Sequence, residues 1–161
     1  MARHLRTGYL WDTVRVIGGA YGGFCTFAPG SGLFTYLSYR DPNFATTLDA
    51  YEAAADALLA QAESLTKEQL ETAVIGAVGD LDSALSADQK GNAQYMRWLA
   101  NESPEERQKF RTEVLGTTKE DFVAFAKRLK GLKMSTSVVS SKGGIEEAIK
   151  AGRKMEVVEL L

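Results

Sequence analysis

The side chains able to do chemistry are few in this sequence. His4 is the one histidine and Cys25 the one cysteine of 161 residues. A zinc site needs three or four His, Cys or carboxylate ligands, commonly with two at helical spacing, which this pair cannot supply. Neither an HxxEH motif nor its inverse occurs. A Ser, His and acid triad would have to draw on His4, and no nucleophile motif surrounds any serine. The cysteine version fails in the same way. These counts exclude a self-sufficient hydrolase or metalloenzyme of an ordinary kind.

Weaker patterns also yield to plainer readings. The glycines at 18, 19, 22 and 23 invite a phosphate loop, but phosphate-binding patterns place glycines after a strand and before a helix, and here the order is reversed. Asp80 and Asp82 lack the oxygen-rich spacing of a calcium loop and read as a solvated helix end. Asn101-Glu102-Ser103 fits the glycosylation pattern, yet Ser103 is better explained as a helix cap. What remains is Arg15 and Tyr21, six residues apart across the glycine-rich turn. A guanidinium and a phenol are donors able to hold a peptide carbonyl, or the charge that develops on it under attack. By spacing alone the favoured reading is the plainer one, a cation at a helix C-terminus and an ordinary strand tyrosine.

The elements that must position this pair follow from periodicity. Residues 1–13 read as an amphipathic helix with Leu5, Tyr9 and the Leu10-Trp11 pair turned inward. Arg3, His4 and Arg6, with no acid before Asp12, would also suit a short organelle-targeting peptide; the helical reading places the segment in the fold. The paired glycines end that helix. Tyr21 to Ala28 and Leu33 to Arg40 read as strands of a hairpin closed by Pro29-Gly30-Ser31-Gly32. A helix from Thr46 to about Ser64 follows. Four further starts carry capping boxes, at Thr66 with Gln69, Ser86 with Gln89, Ser103 with Glu106 and Thr117 with Glu120. Ser135 to Ser140 reads as a third strand and Gly144 to Ala151 as a last helix. Three strands against about seven helices is a poor balance for a sheet, which points to part of a larger α+β domain with earlier strands upstream.

Composition fits one folded unit over 1–161: 45% of residues are apolar and 25% charged. A net charge of −2 and interspersed signs give no attraction for nucleic acid or an anionic membrane. No apolar run reaches the length of a membrane span. Cys25, flanked by Gly23, Phe24 and Phe27, reads as a buried thiol.

Tyr9-Leu10-Trp11-Asp12, Val14-Arg15-Val16, Gly18 to Cys25 and Ser38-Tyr39-Arg40-Asp41-Pro42-Asn43 closely resemble the last domain of presequence proteases, organellar peptidases of the pitrilysin and insulinase superfamily. The likeness continues through Ile75 to Asp82, Lys90-Gly91, Glu106-Arg107-Gln108 and Asp121-Phe122, and drifts after Lys142. It implies an α+β fold, an antiparallel sheet packed by several helices, as part of an M16-type (LuxS or processing-peptidase-like) metallopeptidase domain. It further implies an enzyme of two halves that closes around an unfolded peptide. Zinc and the general base belong to the first half, and no cofactor is expected on this chain. By position Arg15 and Tyr21 match the arginine and tyrosine that the last domain turns toward the substrate, with Gly18, Gly19 and Gly22 along the substrate-binding turn. The zinc half, the middle domains and the first strands of this domain are expected upstream of Met1.

The partners so implied are a peptide substrate and the zinc-bearing N-terminal half, in the mitochondrial matrix or plastid stroma. The alternative is a stand-alone noncatalytic module that binds peptides or another subunit. An open sheet edge would favour self-association of the isolated chain.

Overall fold

The computed structural model describes residues 1–159. A short helix α1 (Ala2–Thr7) leads into a π-helix (Trp11–Ile17), then into strands β1 (Gly22–Ala28) and β2 (Leu33–Tyr39). Helices α2 (Phe44–Ser64), α3 (Lys67–Leu81), α4 (Ala87–Leu99), α5 (Pro104–Leu115), α6 (Lys119–Lys130) and α7 (Lys142–Lys150) complete the order. The hairpin is antiparallel, with Gly22 opposite Tyr39, Cys25 opposite Tyr36 and Ala28 opposite Leu33. The α+β class and the hairpin stand as read from the sequence, each strand one residue shorter at its outer end.

Three expectations are corrected. The single helix over 1–13 is broken at Gly8, and Trp11 is exposed while Leu10 is fully buried. The π-helix that begins at Trp11 turns the indole away from the core. The fourth capping box sits one residue later than expected: Thr118 accepts from the Asp121 amide and Asp121 returns a bond to the Thr118 amide. Residues 135–140 form no strand: they carry no regular secondary structure, and among the described residues their backbone has no ladder partner. The described sheet therefore has two strands. The other three boxes are present, at Thr66, Ser86 and Ser103, the last with Pro104 in the first helical turn.

The core forms where the N-terminal segment and hairpin meet α2 and α6. Leu5, Leu10 and Val14 are fully buried, together with Cys25 of β1, Leu58 and Ala62 of α2 and Phe122 of α6. Aromatic pairs join the layers: Tyr36 stacks on Tyr51 at 4.8 Å, and Phe34 meets Phe125 edge-on at 5.6 Å. His4 packs edge-on against Phe122 at 5.4 Å, so the one histidine is a packing residue.

Helices α3, α4 and α5 bury no residue completely and form an arm beside this core. Arg3 fastens the arm by crossing α3 at Gly76, where a Cβ would lie 2.3 Å from its Nε, and donating to both oxygens of Asp80 at 2.8 Å. Arg111 of α5 pairs with Asp82. The two aspartates, read as a solvated helix end, are thus exposed but committed to arginines.

Phe122 is 1% exposed and sits between the N-terminal helix and α2. Phe122→Ala is expected to cost about 3–5 kcal/mol of unfolding free energy, read as a lower urea midpoint at unchanged slope.

Candidate functional site

The site is built by the way the chain leaves the π-helix. π-helical turns are rare and cluster at functional positions. Here the Gly18 amide donates to Thr13 O at 3.0 Å, five residues back, and the Gly19 amide to Arg15 O at 3.1 Å. A Cβ on Gly18 would meet Val14 O at 2.6 Å, so only glycine closes this wide turn. Gly19 then takes φ +76°, a left-handed conformation that side chains resist. The Ala20 amide donates to Val14 O, and Tyr21 enters β1 with its amide bonded to Arg40 O.

A second segment clamps the turn from outside. Asp41 Oδ1 accepts from the Asn43 amide at 2.9 Å, forming a local turn that aims the Asn43 side chain. That side chain donates to Gly18 O at 2.9 Å. Arg40, at the end of β2, holds φ 48°, a strained conformation for a non-glycine residue.

Arg15 and Tyr21 emerge from the two ends of this turn, both exposed. Each is steadied by an aromatic neighbour. The Arg15 guanidinium lies over the Trp11 ring at 4.1 Å, the Tyr21 ring meets Tyr39 edge-on at 6.0 Å, and the Arg40 guanidinium lies over the Tyr39 ring at 5.5 Å. A cation over an exposed indole is worth roughly 0.5–1 kcal/mol, enough to bias a long side chain toward one orientation. Neither donor head is spent on a described hydrogen bond. Trp11, Tyr39 and Arg40 are the residues that reading the sequence missed. The signal for Tyr39 was available, since the hairpin register puts it opposite Gly22, beside Tyr21.

The three glycines differ. Gly19 is open, Gly18 is half-buried under the Asn43 clamp, and Gly22 is buried beneath the Phe24 ring, which occupies the place a Cβ would need at 2.4 Å. The outer face of the hairpin beyond them is apolar: Phe24, Leu33, Leu37 and Tyr39 are 42–61% exposed.

Among the described residues no three His, Cys, Asp or Glu side chains converge as a metal requires. Cys25 is buried with its thiol donating to Ala2 O at 3.0 Å, and burial lowers the pKa of His4. The donor set of this chain does not fit zinc.

A two-stranded antiparallel hairpin packed by helices places the chain in the α+β class. Residues 1–141 match the PreP C-terminal domain family, and the chain belongs to that family. It is 46% identical over 129 residues to "Presequence protease 1, chloroplastic/mitochondrial" of Arabidopsis thaliana, covering 80% of this chain and 12% of that protein. It is 33% identical over 147 residues to "Protein HypA" of Clostridium perfringens (91% and 15%), and 27% identical over 150 residues to "Presequence protease, mitochondrial" of Danio rerio (93% and 14%). The chain thus spans about one seventh of the length of these relatives. The family match ends at residue 141, just before the tail in which the resemblance drifts.

Burial pushes the Cys25 pKa from 9.0 up to about 11. The unfolded thiol ionises near its ordinary value while the folded one keeps its proton, so this contribution to stability is complete below pH 9 and declines as pH rises toward 11. Two measurements check this. A thiol reagent at pH 8 should label the native chain far more slowly than the unfolded one, and Cys25→Ala should flatten part of the stability loss between pH 9 and 11.

Proposed function

We propose that this chain is the substrate-binding C-terminal part of a zinc metalloendopeptidase that degrades targeting presequences and other unstructured peptides. It performs no catalysis alone. The observation that carries the reading is the turn between the π-helix and β1, which sets two unspent donors, Arg15 and Tyr21, at its two ends beside an exposed apolar strand face. An extended peptide offers what such a surface takes: carbonyl oxygens for the donors and side chains at alternate positions for Phe24, Leu37 and Tyr39.

In this reading the zinc-bearing half of the enzyme supplies the metal, and this chain contributes positioning and charge stabilisation. Arg15 and Tyr21 donate to the peptide carbonyl and to the oxyanion that replaces it. Trp11 and Tyr39 act through them as positioning residues. Gly19 offers open backbone for close approach, and Gly18 and Gly22 hold the turn's shape. Covering the site with the other half excludes water, which strengthens both donors. The mitochondrial matrix or plastid stroma is the proposed compartment, in keeping with the names of the relatives.

A second reading, a noncatalytic module that binds peptides or another subunit, draws on the apolar surface of the arm, where Trp98 and Ile75 are 73% and 71% exposed. That surface also favours self-association of the isolated chain.

Substitution in the two-half enzyme separates the readings. Tyr21→Phe and Arg15→Ala should each slow cleavage of an unstructured peptide by roughly a hundredfold or more, with the thermal transition unmoved. Cleavage at the parent rate by Tyr21→Phe would remove the assignment and leave the binding module.

A further inference from the structure

Arg40 stands in a conformation that its residue type does not favour. Among the described residues two non-glycine side chains have positive φ, Arg40 and Asn101. Asparagine accepts the left-handed region, whereas an arginine there is strained. If β2 simply continued, Arg40 would point to the face opposite Tyr39. At φ 48° its side chain instead folds back, and the guanidinium lies over the Tyr39 ring at 5.5 Å. The strain thus has a product, a cation held on the Tyr39 side of the strand end.

That side is the side of the candidate site. Among the described residues only two cations lie over aromatic rings, Arg15 over Trp11 and Arg40 over Tyr39, and Tyr39 is the ring against which Tyr21 rests. The separations of 6.0 Å and 5.5 Å place Arg40 no further from Tyr21 than about four residues of extended peptide. Neither guanidinium is neutralised within the described residues, where no carboxylate comes within ion-pair distance of Arg15 or Arg40. Asp12 is exposed and pairs with neither, and Asp41 spends Oδ1 on the Asn43 amide and buries Oδ2. Arg15 and Tyr21 already serve a peptide carbonyl. A further guanidinium, planar and with its N–H groups in a fork, matches a carboxylate.

We propose that Arg40 is a specificity residue that takes a carboxylate of the bound peptide, from an acidic side chain or from the C-terminus, within about four residues of the group held by Tyr21. This rests on the peptide-binding reading of Arg15 and Tyr21 above. Tyr39 steadies both the phenol and the new cation. The contact lies away from the reacting carbonyl and is made equally before and during attack, so it acts on KM and not on kcat.

The test uses the two-half enzyme and otherwise identical peptides with C-terminal amides, each carrying glutamate or glutamine at one of the four positions on either side of the cleaved bond. A second set ends in a free carboxylate at the same distances. The parent should favour glutamate, or the free terminus, at one position by about tenfold in KM, the effect of one charge-assisted hydrogen bond. The set that shows the preference assigns its source. Arg40→Asn should erase the preference and leave kcat on the glutamine peptides unchanged. Because asparagine takes the left-handed conformation more readily, the same variant of the 161-residue chain should melt no lower than the parent. Arg40→Lys should keep part of the preference, since the charge remains and the fork is lost. A parent without preference at any position, a preference that survives Arg40→Asn, or an equal loss of kcat on all peptides would overturn the proposal. Its failure is separable from failure of the function: the former leaves the loss of cleavage by Tyr21→Phe in place, and the latter shows Tyr21→Phe cleaving at the parent rate.

Discussion

The contact on which the structure depends is the close approach of the π-helix to the first strand. Val14 is fully buried, and a Cβ on Gly23 would lie 2.9 Å from its side chain and 3.3 Å from Leu10 O. Only a bare glycine backbone lets β1 lie this near. Val14 faces inward and its neighbour Arg15 is exposed; Tyr21, just ahead of β1, is exposed although Gly23 and Cys25, two and four residues on, are buried, so the chain changes course where it enters the strand. Both donors are steadied by aromatic neighbours, Arg15 by Trp11 and Tyr21 by Tyr39, and not by hydrogen bonds of their own.

Stability is distributed unevenly around that contact. The hairpin, α2 and α6 share the buried cluster, where removing a large side chain costs several kcal/mol. The arm of α3, α4 and α5 has no such core. Arg111 to Asp82 joins α5 to the end of α3 within the arm, and the arm meets the core through the partly buried Leu70 and Ala73 of α3 and the exposed pair of Arg3 with Asp80, a kind worth about 0–1 kcal/mol. Its capping boxes make the individual helices persistent, since each satisfies two end amides, but a cap fixes a helix end and not its place against the rest. The arm belongs to the less stable end of the fold, where local opening precedes global unfolding.

How much of this was legible depended on the range of the interaction. The hairpin was legible because its turn chemistry and alternation are local, and three capping boxes because they span four residues. The box at Thr117 was misplaced by one because Thr117 and Thr118 are both followed three residues on by an acid, and only the backbone decides between them. The π-helix was not legible: Trp11 to Ile17 has the composition of an ordinary helix end, and its wide turn is set by Gly18 meeting Val14 O. Arg3 crossing Gly76 was hidden for another reason, since it joins residues more than seventy positions apart. The segment 135–140 has β-branched residues that suit a strand, but a strand is defined by its neighbour, and no pattern within six residues reveals whether that neighbour is present. In the candidate site, Arg15 and Tyr21 were singled out as the donors left over by elimination, and only the resemblance to a family motif gave them a proposed role. Trp11 and Tyr39, which orient them, required the register and the π-turn.

The exposure of the two donors bears on what they can do. A guanidinium and a phenol surrounded by water exchange one hydrogen bond for another when a ligand arrives, a net gain of about 0.5–1.5 kcal/mol for a neutral bond and somewhat more for a charged one. The same groups become strong only when the medium around them loses its water, because the interaction scales inversely with the effective dielectric. Nothing in residues 1–159 covers Arg15 or Tyr21, and the apolar face of Phe24, Leu37 and Tyr39 beside them is open as well. Both deficits are removed by the same event, the approach of a second surface that buries the strand face and dries the donors together. In the proposed function such a surface, weak while wet and flanked by uncovered apolar area, acts upon closure, with Arg15 already steadied on Trp11 and Tyr21 on Tyr39.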